Sequence, residues 1–361
     1  MAYKLRCPMI VGVMVLLAAW LLAGCATPVE SVPTSVPLAA LPPTLTATPS
    51  AVPPTWTPTV TPSPTATNTP TPTTTPTATA TPTATSTPTP NPVPDYMVGG
   101  FVQAPYLEEP PGSVACDGTG ILFRSGYPSE MGWRYYTAYL PPCYGQQGRT
   151  YPVLYLFHGS IQTDSHWADL GLPQLVDEGI ADGRYPPFIV IMPYNDDLGN
   201  KTSGGERSIE GITVNALLPY IDQTFCTWAE PAGRSIGGIS RGGYWALMIA
   251  FRHTDLFTSV SGHSSHLRYE TDKAEYNPLS TYAEADLTDM RIWLDWGEKD
   301  FLYFGQKTLH ESLTEAGIAH DVHMNEGGHN EWYWLDHIAE YLDWHAAAWP
   351  LDAAAYPPCN P

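Results

Sequence analysis

The chain has 361 residues, of which 36 are acidic and 16 basic, so its formal net charge is −20. A field of this sign repels phosphate backbones, and no Lys/Arg-rich stripe offsets it, which excludes nucleic acid as a partner. There are 38 prolines, and roughly half of them precede residue 95. A folded domain is therefore expected only in residues 95–361.

The N-terminus has the pattern of an export signal. Lys4 and Arg6 precede a short apolar run that ends in Leu-Ala-Gly-Cys at Cys25. A basic start, a short apolar stretch and small residues are typical of a secretory signal, and the run is too short for a comfortable membrane span. The ending resembles a bacterial lipobox, which implies cleavage before Cys25, lipidation of that cysteine and anchoring at the extracellular face of the membrane. An ordinary signal peptide, which would release a secreted protein, is the alternative.

Residues 26–94 consist almost wholly of Thr, Pro, Ala, Ser and Val, with Glu30 as their only charged residue. Without an apolar period this segment cannot bury enough surface to offset its ordering entropy. We expect a disordered, extended linker that holds the folded domain away from a surface.

Four cysteines remain in the predicted domain: Cys116, Cys143, Cys226 and Cys359. An oxidising compartment permits three pairings among them, and sequence alone does not choose between these. We favour Cys116–Cys143, which are near in sequence, together with Cys226–Cys359, which would tie down the C-terminal tail.

From residue 95 onward, apolar strand patterns alternate with helical ones. Continuous apolar runs such as 151–157 and 188–192 are typical of strands that are buried on both faces. Strands are predicted at 133–140, 151–157, 188–192, 234–239, 291–296 and 320–324, and helices at 208–225, 244–251, 307–316 and 332–344. This alternation predicts an α/β fold with a mostly parallel central sheet and helices on both faces.

One motif carries chemistry: G-x-S-x-G at 238–242, with Ser240 at its centre. It follows an apolar strand and precedes a helix, the setting in which a sharp turn exposes a nucleophilic serine. A serine hydroxyl needs a base that is itself oriented by a carboxylate, in the chain order Ser, acid, His. Asp300 and His329 follow the next two predicted strands and complete the predicted triad, with Glu298 as the alternative acid.

An oxyanion needs backbone N–H donors aimed at the developing charge. One donor is expected from Arg241, directly after the nucleophile. The other is expected from the loop after the strand 151–157, with Ser160 as first choice and Ile161 as second. His158, at the end of that strand, is expected to support the loop rather than to act as a base.

Four segments together are similar to one family: LYLFHGS, IGGISRGGYWAL, LDWGEKDFLYFGQ and EGGHNEWYW. They resemble the esterase D/feruloyl esterase-like group of α/β hydrolases (carbohydrate esterase family one), over about residues 130–345. The resemblance implies an α/β-hydrolase fold and ester hydrolysis without a cofactor by Ser240, His329 and Asp300. Many relatives have an apolar residue where this chain has Arg241.

The leading hypothesis is a surface-tethered serine esterase that acts on feruloyl or acetyl esters of polysaccharide. An acyltransferase with the same triad and a non-catalytic carbohydrate- or protein-binding lipoprotein are the alternatives. Residues of the unusually aromatic or polar loops around Ser240, namely Ile161, Trp167 and Trp332, are expected to bind substrate. No histidine cluster has a convincing metal-ligand set, so no metal or cofactor is predicted.

Overall fold

Eight strands form one sheet in the part of the chain that the computed structural model describes, residues 102–270 and 272–359. The predicted signal peptide, the linker and Cys25 lie outside these residues. Within the described ranges, no helix is both long and apolar enough to cross a membrane.

The sheet is antiparallel at one side and parallel over the rest. The first two strands and the fourth pair antiparallel, and all the other neighbours are parallel. In spatial order the strands are β1 (Ile121–Ser129), β2 (Gly132–Leu140), β4 (Ile189–Pro193), β3 (Val153–Phe157), β5 (Arg234–Ile239), β6 (Ser259–His263), β7 (Arg291–Gly297) and β8 (Asp321–Asn325). The predicted mostly parallel sheet is confirmed.

Helices connect the parallel strands, and one more helix follows the last strand. They are α1 (His166–Asp169), α2 (Leu172–Ala181), α3 (Leu198–Lys201), α4 (Ile209–Ile212), α5 (Leu218–Thr224), α6 (Arg241–Arg252), α7 (Pro278–Thr281), α8 (Tyr303–Glu315) and α9 (Glu331–Ala346). A π-helical turn, Thr213–Leu217, joins α4 to α5, so the helix predicted at 208–225 is built from three pieces. The side chain of Asn330 accepts the Tyr333 N–H at 3.2 Å and so fixes where α9 begins.

The helices lie on both faces of the sheet. Strand β3 shows why its sequence is apolar throughout: Tyr155 and Phe157 belong to a core on the side of α6, and Leu154 and Leu156 to a second core with α2 and α9. Burying an apolar side chain of this size contributes roughly 1.5–3 kcal/mol relative to exposure. The two cores together hold the sheet in place, and the predicted triad lies at the carboxyl ends of its parallel strands.

Two disulfides close the domain, Cys116–Cys143 and Cys226–Cys359, which confirms the favoured pairing. The second bond ties the C-terminal tail to the segment between α5 and β5. The Thr150 N–H also donates to the Pro357 carbonyl at 3.0 Å, so backbone and covalent contacts hold the same tail.

Three parallel strands bring the predicted triad to one edge. Ser240 follows β5, Asp300 lies on the turn after β7, and His329 lies on the loop after β8. Because parallel strands end at the same edge of a sheet, residues that are distant in sequence meet there. This arrangement sets up the site.

Candidate active site

Ser240 lies on a sharp, strained turn between β5 and α6. Its backbone has φ +57° and ψ −117°, a region that residues other than glycine rarely adopt. The flanking glycines are required by close approach, because a Cβ at Gly238 would collide with the backbone of Gly242, and one at Gly242 with the Phe157 carbonyl. The G-x-S-x-G pattern therefore has a steric cause at each glycine.

The three predicted triad residues are hydrogen-bonded in series. The Ser240 Oγ lies 2.9 Å from the His329 Nε2, and the His329 Nδ1 lies 3.1 and 3.0 Å from the two Asp300 carboxylate oxygens. With the proton on Nδ1 facing the carboxylate, Nε2 is free to accept the serine proton. The geometry is that of a nucleophile, a base and the acid that orients the base.

Asp300, not Glu298, is the carboxylate that reaches His329. Asp300 is buried, and its Oδ1 also accepts the Leu302 N–H at 2.7 Å, which fixes the carboxylate plane. The Glu298 side chain is half exposed and lies 3.5 Å from Lys299. The structure thus separates the two acids that the sequence left open.

Two aromatic rings pack against the His329 imidazole. The Phe301 ring centroid lies 4.6 Å away, and the buried Trp334 meets the imidazole edge-on at 5.1 Å. These contacts limit rotation of the ring about its side-chain bonds. Trp334 is therefore a packing residue for the base.

The two segments predicted to supply oxyanion donors converge beside Ser240. Arg241 is the first residue of α6, whose leading N–H groups have no partner within the helix. The loop after β3 lies against the nucleophile, since a Cβ at Gly159 would be 3.4 Å from the Ser240 Cβ. Ser160 follows it directly, and its carbonyl accepts from the Asn200 side chain at 2.8 Å.

His158 is a buried loop support. Its Nδ1 lies 2.7 Å from the Gly159 carbonyl, and its Nε2 accepts the Asn195 N–H at 3.0 Å. Because Nε2 accepts, the ring is neutral and carries its proton on Nδ1, and burial lowers the pKa of His158 to about 4. The imidazole therefore holds the loop after β3 against the segment that follows β4, and both of its nitrogens are occupied by these contacts.

The low pKa of His158 predicts a pH-dependent loss of stability. Between pH about 6.5 and 4 the unfolded chain binds a proton at this residue and the folded chain does not, so the free energy of unfolding falls as the pH falls. From pH 7 to pH 5, His158→Gln, which keeps an acceptor for the Asn195 N–H, should lose about 2 kcal/mol less stability than the unaltered protein. Urea unfolding at both pH values measures this, and parallel losses would contradict it.

The Arg241 side chain does not point freely into the site. Its guanidinium donates to the Gly199 carbonyl at 2.8 Å and to the Thr202 carbonyl at 2.6 Å, and pairs with the buried Asp272 at 2.8 Å. It also lies 4.1 Å from the centre of the Tyr244 ring. Arg241 thus fastens the α3 segment to the start of α6, a role that an apolar residue could not fill.

Glu331 links the oxyanion loop to the loop that carries the base. One carboxylate oxygen accepts from the Gln162 amide at 2.8 Å, and the other lies 2.7 Å from the His166 Nε2. Burial works to raise the pKa of Glu331, but the contact with His166 outweighs it and the pKa is lowered, so the residue is ionised. The sequence interpretation missed this link, since its three residues show no local pattern.

The predicted substrate residues divide into exposed and buried ones. Ile161 is 92% exposed and Trp332 is 57% exposed, so both are available at the surface. Trp167 is only 1% exposed, and its indole N–H donates to the Phe157 carbonyl at 3.2 Å. The prediction for Trp167 is therefore wrong: it packs α1 onto the sheet and offers no face to a substrate.

An aromatic cavity of about 410 Å³ lies beside the base. We define it by Tyr269, Phe301 and Phe304, which line it together with Leu267, Leu279 and others. Phe301 is also the ring that contacts His329, so the cavity adjoins the triad. The sequence interpretation missed these rings, although the signal was present in the aromatic run directly after Asp300.

A polar cavity of about 340 Å³ lies on the side of the oxyanion segments. Its lining is Ser160, Asn200, Lys201, Thr202, Ser203, Arg241, His266 and Asp272. A larger cavity, of about 490 Å³, lies between the β1–β2 turn and residues 211–223 and contains no triad residue. Proximity to the predicted triad, rather than volume, therefore identifies the aromatic and polar cavities as the candidate substrate sites.

Comparisons with known proteins agree with this geometry. The sequence model of the family Esterase (Putative esterase) matches residues 129–345. Esterase MT1326 of Mycobacterium tuberculosis is 30% identical over 249 residues, which are 56% of this chain and 54% of that protein. An endo-1,4-beta-xylanase/feruloyl esterase of Xylanibacter ruminicola is 36% identical over 128 residues, which are 33% of this chain and 18% of that protein.

Among solved structures, a ferulic acid esterase aligns with a TM-score of 0.59 at 23% identity, over 64% of this chain and 99% of that one. An S-formylglutathione hydrolase of Staphylococcus aureus aligns with a TM-score of 0.55 at 18% identity, over 63% and 99%. At these identities the structures show the shared fold. The chain spans about half the length of the mycobacterial relative. It belongs to the Esterase family, and residues 129–345 form a carboxylic ester hydrolase domain with an α/β-hydrolase fold.

Proposed function

We propose that the protein is a serine esterase that works through an acyl-enzyme, with Ser240 as nucleophile, His329 as base and Asp300 as its orienting acid. The observation that carries this proposal is the continuous hydrogen-bonded series from the Asp300 carboxylate through His329 to the Ser240 Oγ.

In the first half of the reaction, the Ser240 Oγ attacks the ester carbonyl as its proton passes to the His329 Nε2. The negative charge that forms on the carbonyl oxygen is stabilised by the backbone N–H groups of Arg241 and Ser160. When the C–O bond to the alcohol breaks, His329 returns its proton to the leaving oxygen. An ester between Ser240 and the acyl group remains.

In the second half, a water molecule takes the place of the alcohol. His329 removes its proton as the oxygen attacks the acyl carbonyl, and the proton then goes to the Ser240 Oγ as the acid leaves. Asp300 keeps the imidazole in one orientation and stabilises its charged form in both halves.

We infer that the substrates are feruloyl or acetyl esters of polysaccharide. The rings of the aromatic cavity, next to His329, suit a planar phenolic acid, because aromatic faces give large contact area with few rotatable bonds to order. The polar cavity, next to the oxyanion segments, suits a hydroxyl-rich alcohol. The Xylanibacter relative, an endo-1,4-beta-xylanase/feruloyl esterase, supports the same substrate class.

A panel of esters tests the proposal on the full-length protein. Methyl ferulate, acetylated xylan and p-nitrophenyl acetate would be incubated separately, and the released acid or p-nitrophenol measured. We expect turnover of p-nitrophenyl acetate and a higher kcat/KM for methyl ferulate. An absence of turnover on every ester would refute the esterase, and turnover of acetyl esters alone would refute the phenolic substrate.

The aromatic cavity predicts a selective change in KM. Phe304→Ala and Tyr269→Ala remove rings that are exposed and do not contact His329 in the structure. Each is expected to raise the KM for methyl ferulate by about tenfold, equivalent to about 1.4 kcal/mol of binding, and to leave p-nitrophenyl acetate nearly unaffected. Trp133→Ala, an equally exposed aromatic on β2, is the control. Equal KM changes for both esters would remove the cavity from the substrate site.

We further propose, from the N-terminal sequence, that the enzyme acts outside the cell and is held at the membrane by lipid on Cys25. Cell fractionation of Cys25→Ser should move the protein from the membrane to the soluble fraction. Unchanged membrane association would mean that Cys25 is not the anchor.

A further inference from the structure

A buried histidine–aspartate pair lies behind the nucleophile turn. His263, the last residue of β6, is directly opposite Asp295 on β7, and its Nδ1 lies 2.5 Å from an Asp295 carboxylate oxygen. Both side chains are fully buried. Although the pair repeats the imidazole–carboxylate contact of the triad, no substrate can reach it, so it is not a second catalytic centre.

The other side of His263 continues into a series of polar side chains. Its Nε2 lies 2.8 Å from the Ser261 Oγ, which lies 2.8 Å from the His345 Nε2, and the His345 Nδ1 lies 2.6 Å from the Ser235 Oγ. With both rings neutral, each hydroxyl and each N–H in the series donates to the next acceptor, so every nitrogen is satisfied. Complete satisfaction makes such a network rigid.

Asp295 also receives hydrogen bonds from the helix that follows the catalytic base. Its second carboxylate oxygen accepts from the Tyr333 hydroxyl at 2.9 Å and from the Tyr341 hydroxyl at 2.7 Å, both on α9. Burial alone would raise the pKa of Asp295, but the contacts with His263 and the two tyrosines outweigh it and lower the pKa. The carboxylate is charged, and bonds to a charged acceptor are stronger than neutral ones.

The same pair touches the strained backbone of the nucleophile. The Ser240 N–H donates to the His263 carbonyl at 2.8 Å, and the Ser240 carbonyl accepts the His266 N–H at 2.8 Å. Holding a residue other than glycine at φ +57° costs on the order of 1–3 kcal/mol, which the surroundings must supply. The position of His263 therefore bears directly on the position of Ser240.

The pair is connected to all three parts of the triad. His263 holds the Ser240 turn, Asp295 lies on the strand that leads to Asp300, and the tyrosines lie on the helix that begins just after His329. Each triad residue lies on a loop, and loops alone hold a geometry less firmly than strands and helices do. The Asp295 carboxylate and its hydrogen-bond partners therefore connect the three loops from inside the core.

We propose that His263, Asp295, Tyr333 and Tyr341 are positioning residues that set the distance between Ser240, His329 and Asp300. The proposal rests on the triad mechanism given above. Small displacements of reacting groups lower the rate of the chemical step far more than they lower binding. Loss of the network should therefore reduce kcat and leave KM nearly unchanged.

The test removes the two hydroxyls and keeps the rings. In the full-length protein, Tyr333→Phe/Tyr341→Phe is expected to lower kcat on p-nitrophenyl acetate by about tenfold, with KM changed less than about twofold. The matched control is Tyr139→Phe, which also removes a tyrosine–aspartate bond, the 2.6 Å contact with Asp177, but on β2 and α2. Its Tm should fall as well, while its kcat should not.

A rescue experiment separates positioning from general stability. His263→Asn keeps an N–H donor near the position of Nδ1, whereas His263→Leu removes every polar contact. Asparagine should retain more of kcat than leucine when both are measured well below their Tm. If leucine prevents folding, kcat of folded His263→Asn and of the single variant Tyr341→Phe decides the question: a reduced kcat supports the proposal and an unchanged one overturns it.

The outcomes also separate this inference from the proposed function. Ser240→Ala is measured in parallel. If that variant keeps its activity, the triad mechanism itself fails. If it loses activity while the double tyrosine variant and Tyr139→Phe lose only Tm, the triad stands and the buried network contributes stability alone.

Discussion

Ser240→Ala is expected to lower kcat/KM for p-nitrophenyl acetate by on the order of 10⁵-fold. Alanine has no atom that can attack the ester carbonyl, and the oxyanion donors alone give little rate. Because alanine fits where serine does and its backbone is equally strained at this φ, the Tm should stay within a few degrees. Initial rates and a thermal melt on the same preparation measure both quantities.

The control for this experiment is Ser265→Ala, which removes a buried hydroxyl that has no hydrogen-bond partner among the described residues. Its activity should be close to that of the unaltered protein. Comparable activity in Ser240→Ala would show that another residue attacks the ester. A fluorophosphonate probe gives an independent readout, because it should label the control variant and not Ser240→Ala.

Asp300→Asn is expected to lower kcat by about 10²- to 10⁴-fold. Asparagine is nearly the same size and can still accept the Leu302 N–H, so the turn after β7 should keep its shape. It has no negative charge to stabilise the imidazolium, and its amide can turn the His329 ring to the wrong tautomer. Steady-state kinetics with p-nitrophenyl acetate, together with the Tm, measure the effect.

Glu298→Gln is the matched control for the acid. It makes the same carboxylate-to-amide change two positions earlier, on a half-exposed side chain that lies near Lys299 and not His329. Its kcat should be nearly unchanged. A larger loss in Glu298→Gln than in Asp300→Asn would assign the orienting acid to Glu298.

The sequence predicts those parts of the fold whose cause is local. Strand β3 is apolar and buried along its length, and the glycines around Ser240 have a steric origin, so both leave a clear pattern. The sequence does not decide between Asp300 and Glu298 as the acid that contacts His329, because both follow β7. The geometry of the turn decides it, and that geometry is seen only in the structure.

Strand β6 was not predicted, and its chemistry explains why. Its sequence, SVSGH, contains three polar residues in five, yet all five residues are buried. The polar groups of Ser261 and His263 are satisfied by partners on β7 and α9, which are distant in sequence. A strand whose burial depends on such distant partners has no apolar pattern in its own sequence, so it cannot be predicted from that sequence.

For the aromatic residues, the sequence led to an error about which side chains are exposed. Trp167 follows the oxyanion loop and was expected to bind substrate, but the indole fits a gap in the core behind β3. Phe301 and Phe304 follow the acid and lie largely exposed beside the base. Composition identifies large rings near a site, but only packing decides which of them face outward.

Strand β8, which leads to His329, is the last strand of the sheet and, among the described residues, pairs only with β7. Its residues are half-buried or exposed, with Met324 65% exposed, whereas β5 is buried throughout. Edge strands of this kind open by local unfolding at a lower free-energy cost than central strands. Amide hydrogens of β8 should exchange faster than those of β5, and mild denaturant should detach His329 from Ser240 before the domain unfolds. We therefore expect inactivation to begin with the displacement of His329, and Ser240, which follows a buried central strand, to keep its position longest.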